Sequence, residues 1–219
     1  MIAVHYLPYD TERFPLAAAA AQALGVGGLE RLADVERQRK RQAGAPARLG
    51  YADNMRLRAR LAALPATHPL HELYNRLVRE VVAPAFGGRI SYTAAPTFRV
   101  HMAGTPSVST WHRDADVTRR LDYLTGWLAF VDTFDSNGLW IEQHYGAADY
   151  QPIPAAYGEI IIFDGALARH GSESNRTAVS RVSLDFRFVP KDLARRGPIA
   201  DAILASRPPP EAVPAPQSG

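Results

Sequence analysis

Three short stretches carry side chains whose types and spacing could do chemistry. They are "WHRDAD", with His112 and Asp114 two residues apart, "ARHG", with His170 in front of a glycine, and "SRVSLDFRFVP", with Arg181 and Ser183 near its start. In an extended segment residues two apart point the same way, so His112 and Asp114 bring an imidazole and a carboxylate to one place, as at the end of a strand. A second imidazole completes a two-histidine, one-carboxylate set, which leaves three coordination positions open for substrate and oxygen and suits Fe(II). His170 is the candidate, because it follows the apolar run Ile160 to Phe163 and the Asp164-Gly165 turn and lies outside any apolar pattern. Neither part decides the matter alone. A His-x-Asp pair arises by chance in roughly two of five chains of this composition, and a histidine in a loop is more often a surface group. The chain has no cysteine, so a metal has only His, Asp and Glu to sit on.

The third stretch, read at the period of a strand, puts Val182, Leu184, Phe186 and Phe188 on one face and Arg181, Ser183, Asp185 and Arg187 on the other. Such a polar face meets water in most antiparallel strands. The alternative is a polar cavity, where the planar fork of Arg181 and the hydroxyl of Ser183 suit a carboxylate. Asp185 and Arg187, farther along, are expected to pair with each other or with neighbouring strands, away from the metal.

Taken together, His112-x-Asp114, His170 and Arg181-x-Ser183 resemble the Fe(II)/2-oxoglutarate-dependent oxygenases. The segments "FRVHMAG", "WHRDADV", "NGLWIE", "GEIIIFDG", "HGSESNRT" and "RVSLDFRFVP" are similar to the streptomycin-biosynthesis type found in natural-product clusters, over about residues 70 to 190. The resemblance implies a double-stranded β-helix, or jelly roll, with His112, Asp114 and His170 as catalytic iron ligands. It implies that Arg181 and Ser183 bind the distal carboxylate of 2-oxoglutarate, and that O2 is consumed as 2-oxoglutarate becomes succinate and a substrate is hydroxylated or otherwise oxidised. Halogenation is disfavoured, because the halogenating relatives replace the ligand carboxylate and Asp114 is present. The chain departs from the family pattern at Val117, where relatives tend to be aromatic, and at Gly126, where they tend to carry Asn. Both positions are expected on the cosubstrate and substrate side of the pocket.

The elements that must position these groups fall into two textures. Helix formers dominate from Pro15 to Val82, with apolar residues at three and four spacing in "GLERLADVERQRKRQ" and "LHELYNRLVREVVAP". After Gly87-Gly88 come short β-rich runs, "RISYT", "TFRVHMA", "SVSTWH", "GWLAFVD", "GLWIEQ", "EIIIFD" and "SRVSLDFRFV", and Asn137-Gly138 sits where a tight hairpin turn would go. The pattern predicts an α+β chain, mainly β with helices. Residues 1–86 form a mostly helical segment packing on the core, residues 87–190 the jelly-roll core, and residues 191–219 an extension ending in a disordered Pro-rich tail.

Four further residues are candidates for binding substrate. Arg99, paired on one face with His101, would look into the barrel. Asp116 is a loop acid near the metal pair, and Trp140 and Glu142 alternate with Leu139 and Ile141 in "GLWIE". The basic run Arg31, Arg37, Arg39, Lys40 and Arg41 reads as a solvated helix face. A net charge of +3 is too mild to indicate nucleic acid. The apolar run from Phe14 to Leu29 is shorter than a membrane span and lacks a basic leader, so a cytoplasmic protein without a membrane anchor is expected. The expected partner is a small polar metabolite of natural-product biosynthesis. A cupin-like isomerase or Zn-dependent hydrolase would use the same three ligands without 2-oxoglutarate. A non-catalytic jelly-roll module is the reading from a third class.

Overall fold

A computed structural model describes residues 1–192 and 196–209. In chain order its elements are β1 (Val4–Pro8), α1 (Leu16–Leu24), α2 (Leu32–Gln42), α3 (Tyr51–Ala62) and α4 (Pro69–Leu77), which runs through a π turn (Val78–Val82) into α5 (Ala83–Ala85). There follow β2 (Ile90–Tyr92), β3 (Thr97–His101), α6 (Asp114–Thr118), β4 (Leu124–Ala129), a 3-10 turn (Asp135–Asn137), β5 (Leu139–Glu142), β6 (Tyr150–Ile153), β7 (Glu159–Phe163), β8 (His170–Gly171), β9 (Arg181–Pro190) and α7 (Gly197–Ala205).

The helices start and stop where the chain's chemistry dictates. Pro69 opens α4, where its missing N–H costs nothing, and the His68 Nδ1 accepts the Leu70 amide at 3.1 Å. Gly25 ends α1 in the left-handed region, φ 64°, which a glycine reaches without strain. Leu70, His71, Tyr74 and Leu77 turn one face of α4 inward. Among the described residues no helix is long and apolar enough to cross a membrane.

The strands build two antiparallel sheets. The larger runs β1-β7-β4-β9-β2, with β3 also paired to β9, and the smaller runs β6-β5-β8. Because side chains alternate along each strand, the larger sheet has two distinct faces. One carries Phe98, Val100, Leu128, Ile160, Ile162, Val182, Leu184 and Phe186 and packs with Leu57, Leu70, Tyr74 and Leu77 of the helices. The other meets the smaller sheet around Trp127, Ile161, Phe163, Leu139, Ile141 and Ile153. The site lies on this second face. The two sheets and the helices on one of them give the expected α+β jelly-roll class.

Several details differ from the sequence reading. The N-terminal segment contributes β1, which pairs with β7 over Val4 to Pro8 and adds an edge to the larger sheet. "SVSTWH" forms no strand; only His112 makes an isolated bridge, to His170. Asn137-Gly138 is not a hairpin turn, since β4 and β5 lie in different sheets and the chain crosses between them through the 3-10 turn. β6 and β8 were not evident from pattern, the first being interrupted by Pro152 and the second only two residues long. In the extension, α7 buries Ala200 and Ile203, while most of the tail expected to be disordered lies outside the described residues.

Gly126 also falls elsewhere than expected. It stands opposite Phe186 on the helix-facing side, where a Cβ would come within 2.4 Å of that ring. Alternation turns Thr125 and Trp127, not Gly126, toward the cavity. Val117 is exposed.

Candidate metal and cosubstrate site

The two histidines hold each other by backbone. The His112 amide donates to the His170 carbonyl at 3.1 Å, and the His170 amide returns a bond to His112 at 3.0 Å. Each ring is then oriented by the carbonyl two residues earlier. His112 Nδ1 lies 2.8 Å from the Thr110 oxygen, and His170 Nδ1 lies 3.0 Å from that of Ala168. A carbonyl only accepts, so each Nδ1 bears the proton and each Nε2 presents its lone pair.

Asp114 is brought to these lone pairs by a helix start, not by a strand end. It is the first residue of α6; its amide donates to the Gly165 carbonyl at 2.9 Å, and that of Ala115 to Ala166 at 3.3 Å. This docks α6 on the Asp164-Gly165 turn. The approach requires glycine at 165, because a Cβ there would lie 2.2 Å from Thr125 Oγ1 and 3.0 Å from Asp114 Oδ2. Asp114 Oδ1 ends 3.7 Å from His112 Nε2 and 4.0 Å from His170 Nε2. The three donor atoms lie within 4.8 Å of one another, the only such grouping of three metal-ligating side chains among the described residues.

The protonation states favour a metal. Asp114 is almost fully buried, which by itself opposes ionisation. His112, His170 and Arg187 outweigh that and hold its carboxyl well below the usual range. Burial pushes the His170 imidazole down to about 4, with His112 adding to the effect, so it is neutral at ordinary pH. Burial also opposes charge on His112, but the Asp114 carboxylate outweighs it and raises that pKa. One ionised oxygen and two imidazole Nε2 atoms, that of His112 freed of any proton when a metal takes its place, fit a single divalent ion.

Arg181 and Ser183 lie on the same face, deeper between the sheets. Arg181 is 1% exposed, donates from Nη1 to the Gly138 carbonyl at 3.1 Å and lies 5.5 Å from the Trp127 ring centre. Its Nε and the Ser183 hydroxyl are buried without a hydrogen-bond partner. Burial, then the neighbouring Arg99 cation, pushes the guanidinium down to about 9. Two orphaned buried polar atoms, one of them on a buried cation that Asp185 only partly offsets, describe a cradle for an anion.

Arg99 shares this cavity and forms an ion pair with Asp185 at 2.7 Å. The other sequence candidates lie elsewhere. Asp116 is bound to Arg113 at 2.7 Å across the first turn of α6. Trp140 turns away, because Leu139 faces the cavity and the next residue along a strand faces outward. Glu142 is buried behind the strand, accepting the Arg169 amide at 2.8 Å and that of Gly146 at 3.0 Å. The basic run is held by its neighbours: Arg39 bonds Glu36 at 2.6 Å and Lys40 reaches Asp53 at 2.8 Å.

Sequence reasoning missed two groups that touch the Asp114 carboxylate. Thr125 donates to Asp114 Oδ2 at 3.0 Å, and Arg187 places Nη2 at 2.5 Å from Oδ1. The polar face of β9 therefore does not run away from the metal ligands. Asp185 pairs with Arg99 and Arg187 with Asp114, since β4 and β9 set Thr125 opposite Arg187 and Asp114 sits on Thr125. The period of two contained this signal; what it lacked was the neighbour of β9.

No family model matches the chain. It is 33% identical over 188 residues to the streptomycin biosynthesis protein StrG of Streptomyces griseus, a match covering 84% of each chain. Among solved structures it shares its fold with the non-heme monooxygenase ThoJ. The nickel complex of ThoJ is 18% identical, with a TM-score of 0.51 over 86% of this chain and 74% of that one. The apo form is 19% identical at the same TM-score and coverage.

Proposed function

Since the chain belongs to the streptomycin-biosynthesis type of Fe(II)/2-oxoglutarate-dependent oxygenases, we propose that it hydroxylates, or otherwise oxidises, a small polar metabolite in natural-product biosynthesis, using His112, Asp114 and His170 for iron and Arg181 with Ser183 for the cosubstrate. The observation that carries this reading is the pairing of a three-ligand cluster with an unpartnered buried guanidinium Nε and an unpartnered hydroxyl on the same face between the sheets. An isomerase or hydrolase using the three ligands alone has no need of such a cradle.

Each residue has a derivable part. His112 and His170 supply neutral Nε2 donors, fixed in tautomer by the Thr110 and Ala168 carbonyls. Asp114 supplies the anionic donor. The Nε–H of Arg181 and the hydroxyl of Ser183 bind the distal carboxylate of 2-oxoglutarate and fix which end of that diacid faces the metal. Trp127 and Phe163 wall the cavity and keep water from the reacting centre. When bound, iron and 2-oxoglutarate supply an O2-driven oxidation in which one oxygen atom enters succinate, CO2 leaves, and the other enters the hydroxylated product.

The test is succinate formation from 2-oxoglutarate with Fe(II) under air, for the unsubstituted protein, His112→Ala and His170→Ala. Succinate should depend on Fe(II) and fall to background in both variants. Undiminished succinate in either one overturns the ligand assignment.

A further inference from the structure

Among the described residues Arg187 is the one arginine or lysine in direct contact with the cluster, and its placement is specific. Its Nη2 lies 2.5 Å from Asp114 Oδ1, the same oxygen that lies 3.7 Å from His112 Nε2 and 4.0 Å from His170 Nε2. A carboxylate oxygen has two lone pairs, so Oδ1 can give one to the guanidinium and one to a metal. The other oxygen, Oδ2, is taken by the Thr125 hydroxyl at 3.0 Å. The guanidinium is itself flanked by the Tyr123 ring, 5.9 Å from its centre. Both oxygens of Asp114 are thus claimed by the protein before a metal arrives.

We propose that Arg187 is a positioning residue that keeps Asp114 a one-oxygen metal ligand. It spends metal affinity to keep coordination positions open for the cosubstrate. The inference rests on the reading of His112, Asp114 and His170 as a metal site. Two consequences follow. A fixed positive charge beside the donor oxygen repels a divalent cation and draws electron density from the carboxylate, so the ion is held less tightly than the three ligands alone would hold it. Without Arg187 the carboxylate is held by the Thr125 hydroxyl alone, which can rotate with it or share Oδ2. The carboxylate can then turn to give both oxygens to the ion, which consumes a position that a two-toothed cosubstrate requires.

The experiment is anaerobic calorimetry of Co(II) binding, then of 2-oxoglutarate binding to the Co(II)-loaded protein, for the unsubstituted chain, Arg187→Met, Arg187→Lys and Arg120→Met. Arg187 is 29% exposed at its side chain, so the methionine leaves no sealed void. Arg120 lines the same neighbouring cavity as Arg187 but pairs with Asp122, and serves as the control. Arg187→Met should bind Co(II) about tenfold more tightly or better and, once loaded, bind 2-oxoglutarate at least tenfold more weakly. Arg187→Lys, which keeps the charge but loses the fork, should hold Co(II) like the unsubstituted chain and lose part of the 2-oxoglutarate affinity. Arg120→Met should match the unsubstituted protein in both. A merely structural role moves the metal arm the other way: weaker Co(II) binding by Arg187→Met overturns the proposal, as does unchanged 2-oxoglutarate affinity. If Arg187→Met does not fold, Arg187→Lys decides through its 2-oxoglutarate arm. If the unsubstituted Co(II) protein binds no 2-oxoglutarate, the reading of function fails, and the Co(II) arm still judges Arg187.

Discussion

Replacing Arg181 by Met separates two things that usually fall together, stability and ligand binding. The guanidinium is 1% exposed, and its pKa is pushed well below the ordinary arginine value, to about 9, by burial and by Arg99. A depression of that size costs the charged form roughly 5 kcal/mol. Against this the protein sets one bond to the Gly138 carbonyl, a distant contact with Trp127 and the attraction of the nearby Asp185 carboxylate. Methionine of similar length removes the cost and loses that bond, worth about 1.5–3 kcal/mol to a charged group, with the attraction of Asp185, which the lowered pKa already counts. The apo variant should therefore melt no lower than the parent. Binding behaves oppositely. The variant keeps the Ser183 hydroxyl and loses the charge-assisted bond from Arg181 Nε; at about 1.5–3 kcal/mol that corresponds to roughly a tenfold to hundredfold loss of 2-oxoglutarate affinity. Differential scanning fluorimetry of the apo forms, with calorimetric titration of 2-oxoglutarate into metal-loaded protein, reads both quantities. A variant that melts far below the parent while retaining its 2-oxoglutarate affinity refutes the assignment and makes Arg181 a structural cation.

Other substitutions probe the frame around the site. Gly126→Ala pushes a methyl into the Phe186 ring, with the nearest atom at 2.4 Å, and should cost about 1–3 kcal/mol in denaturant unfolding; a neutral change would mean the β4–β9 packing is misread. Arg207 grips the fully buried Asp164 with two bonds, 2.7 and 2.8 Å, and also holds the Leu121 carbonyl at 2.7 Å. Arg207→Met leaves that acid without its cation, with the Tyr145 hydroxyl still on Oδ2 at 3.0 Å, and should cost about 3 kcal/mol. It should also loosen the turn that docks Asp114, seen as weaker Co(II) binding, and adding Asp164→Asn should recover part of both. Glu36 is buried between Arg56 and Arg39. Burial opposes its charge, but the two guanidiniums outweigh that and hold its pKa below 4.5. The stabilisation from a depressed carboxyl is present above the unfolded value and lost as pH falls through the folded one. Glu36→Gln should lower the melting temperature at neutral pH, with the gap closing below about pH 4; a gap that widens in acid contradicts the pairing.

The legible parts of this molecule were those set by local periodicity. The alternation in "SRVSLDFRFVP" separated the core residues Val182, Leu184 and Phe186 from the buried polar set, and the three and four spacing of Leu70, Tyr74 and Leu77 marked the inner face of α4. His112, Asp114 and His170 could be picked from residue type, spacing and resemblance. What could not be read were facts of pairing between distant strands. β1 joins the sheet only because β7 offers an open edge, and Gly126 faces the helices because of where β4 starts its alternation. The same limit hid Arg187. Its side of β9 was clear, but its partner Asp114 is 73 residues away and is reached through Thr125 of β4. Trp140 and Glu142 were misplaced for a smaller reason, since alternation within "GLWIE" gives two faces and nothing local says which one is inside.

The most direct measurement is an anaerobic absorption titration of 2-oxoglutarate into the Fe(II)-loaded protein, with His170→Ala and Arg181→Met alongside. A cosubstrate that chelates the ion through its 2-oxo and carboxylate groups should produce a visible charge-transfer band that saturates with one equivalent of Fe(II). The band should be absent in His170→Ala and should need a far higher 2-oxoglutarate concentration in Arg181→Met. An unsubstituted protein that takes up Fe(II) but gives no band at millimolar 2-oxoglutarate would contradict the assignment of this site.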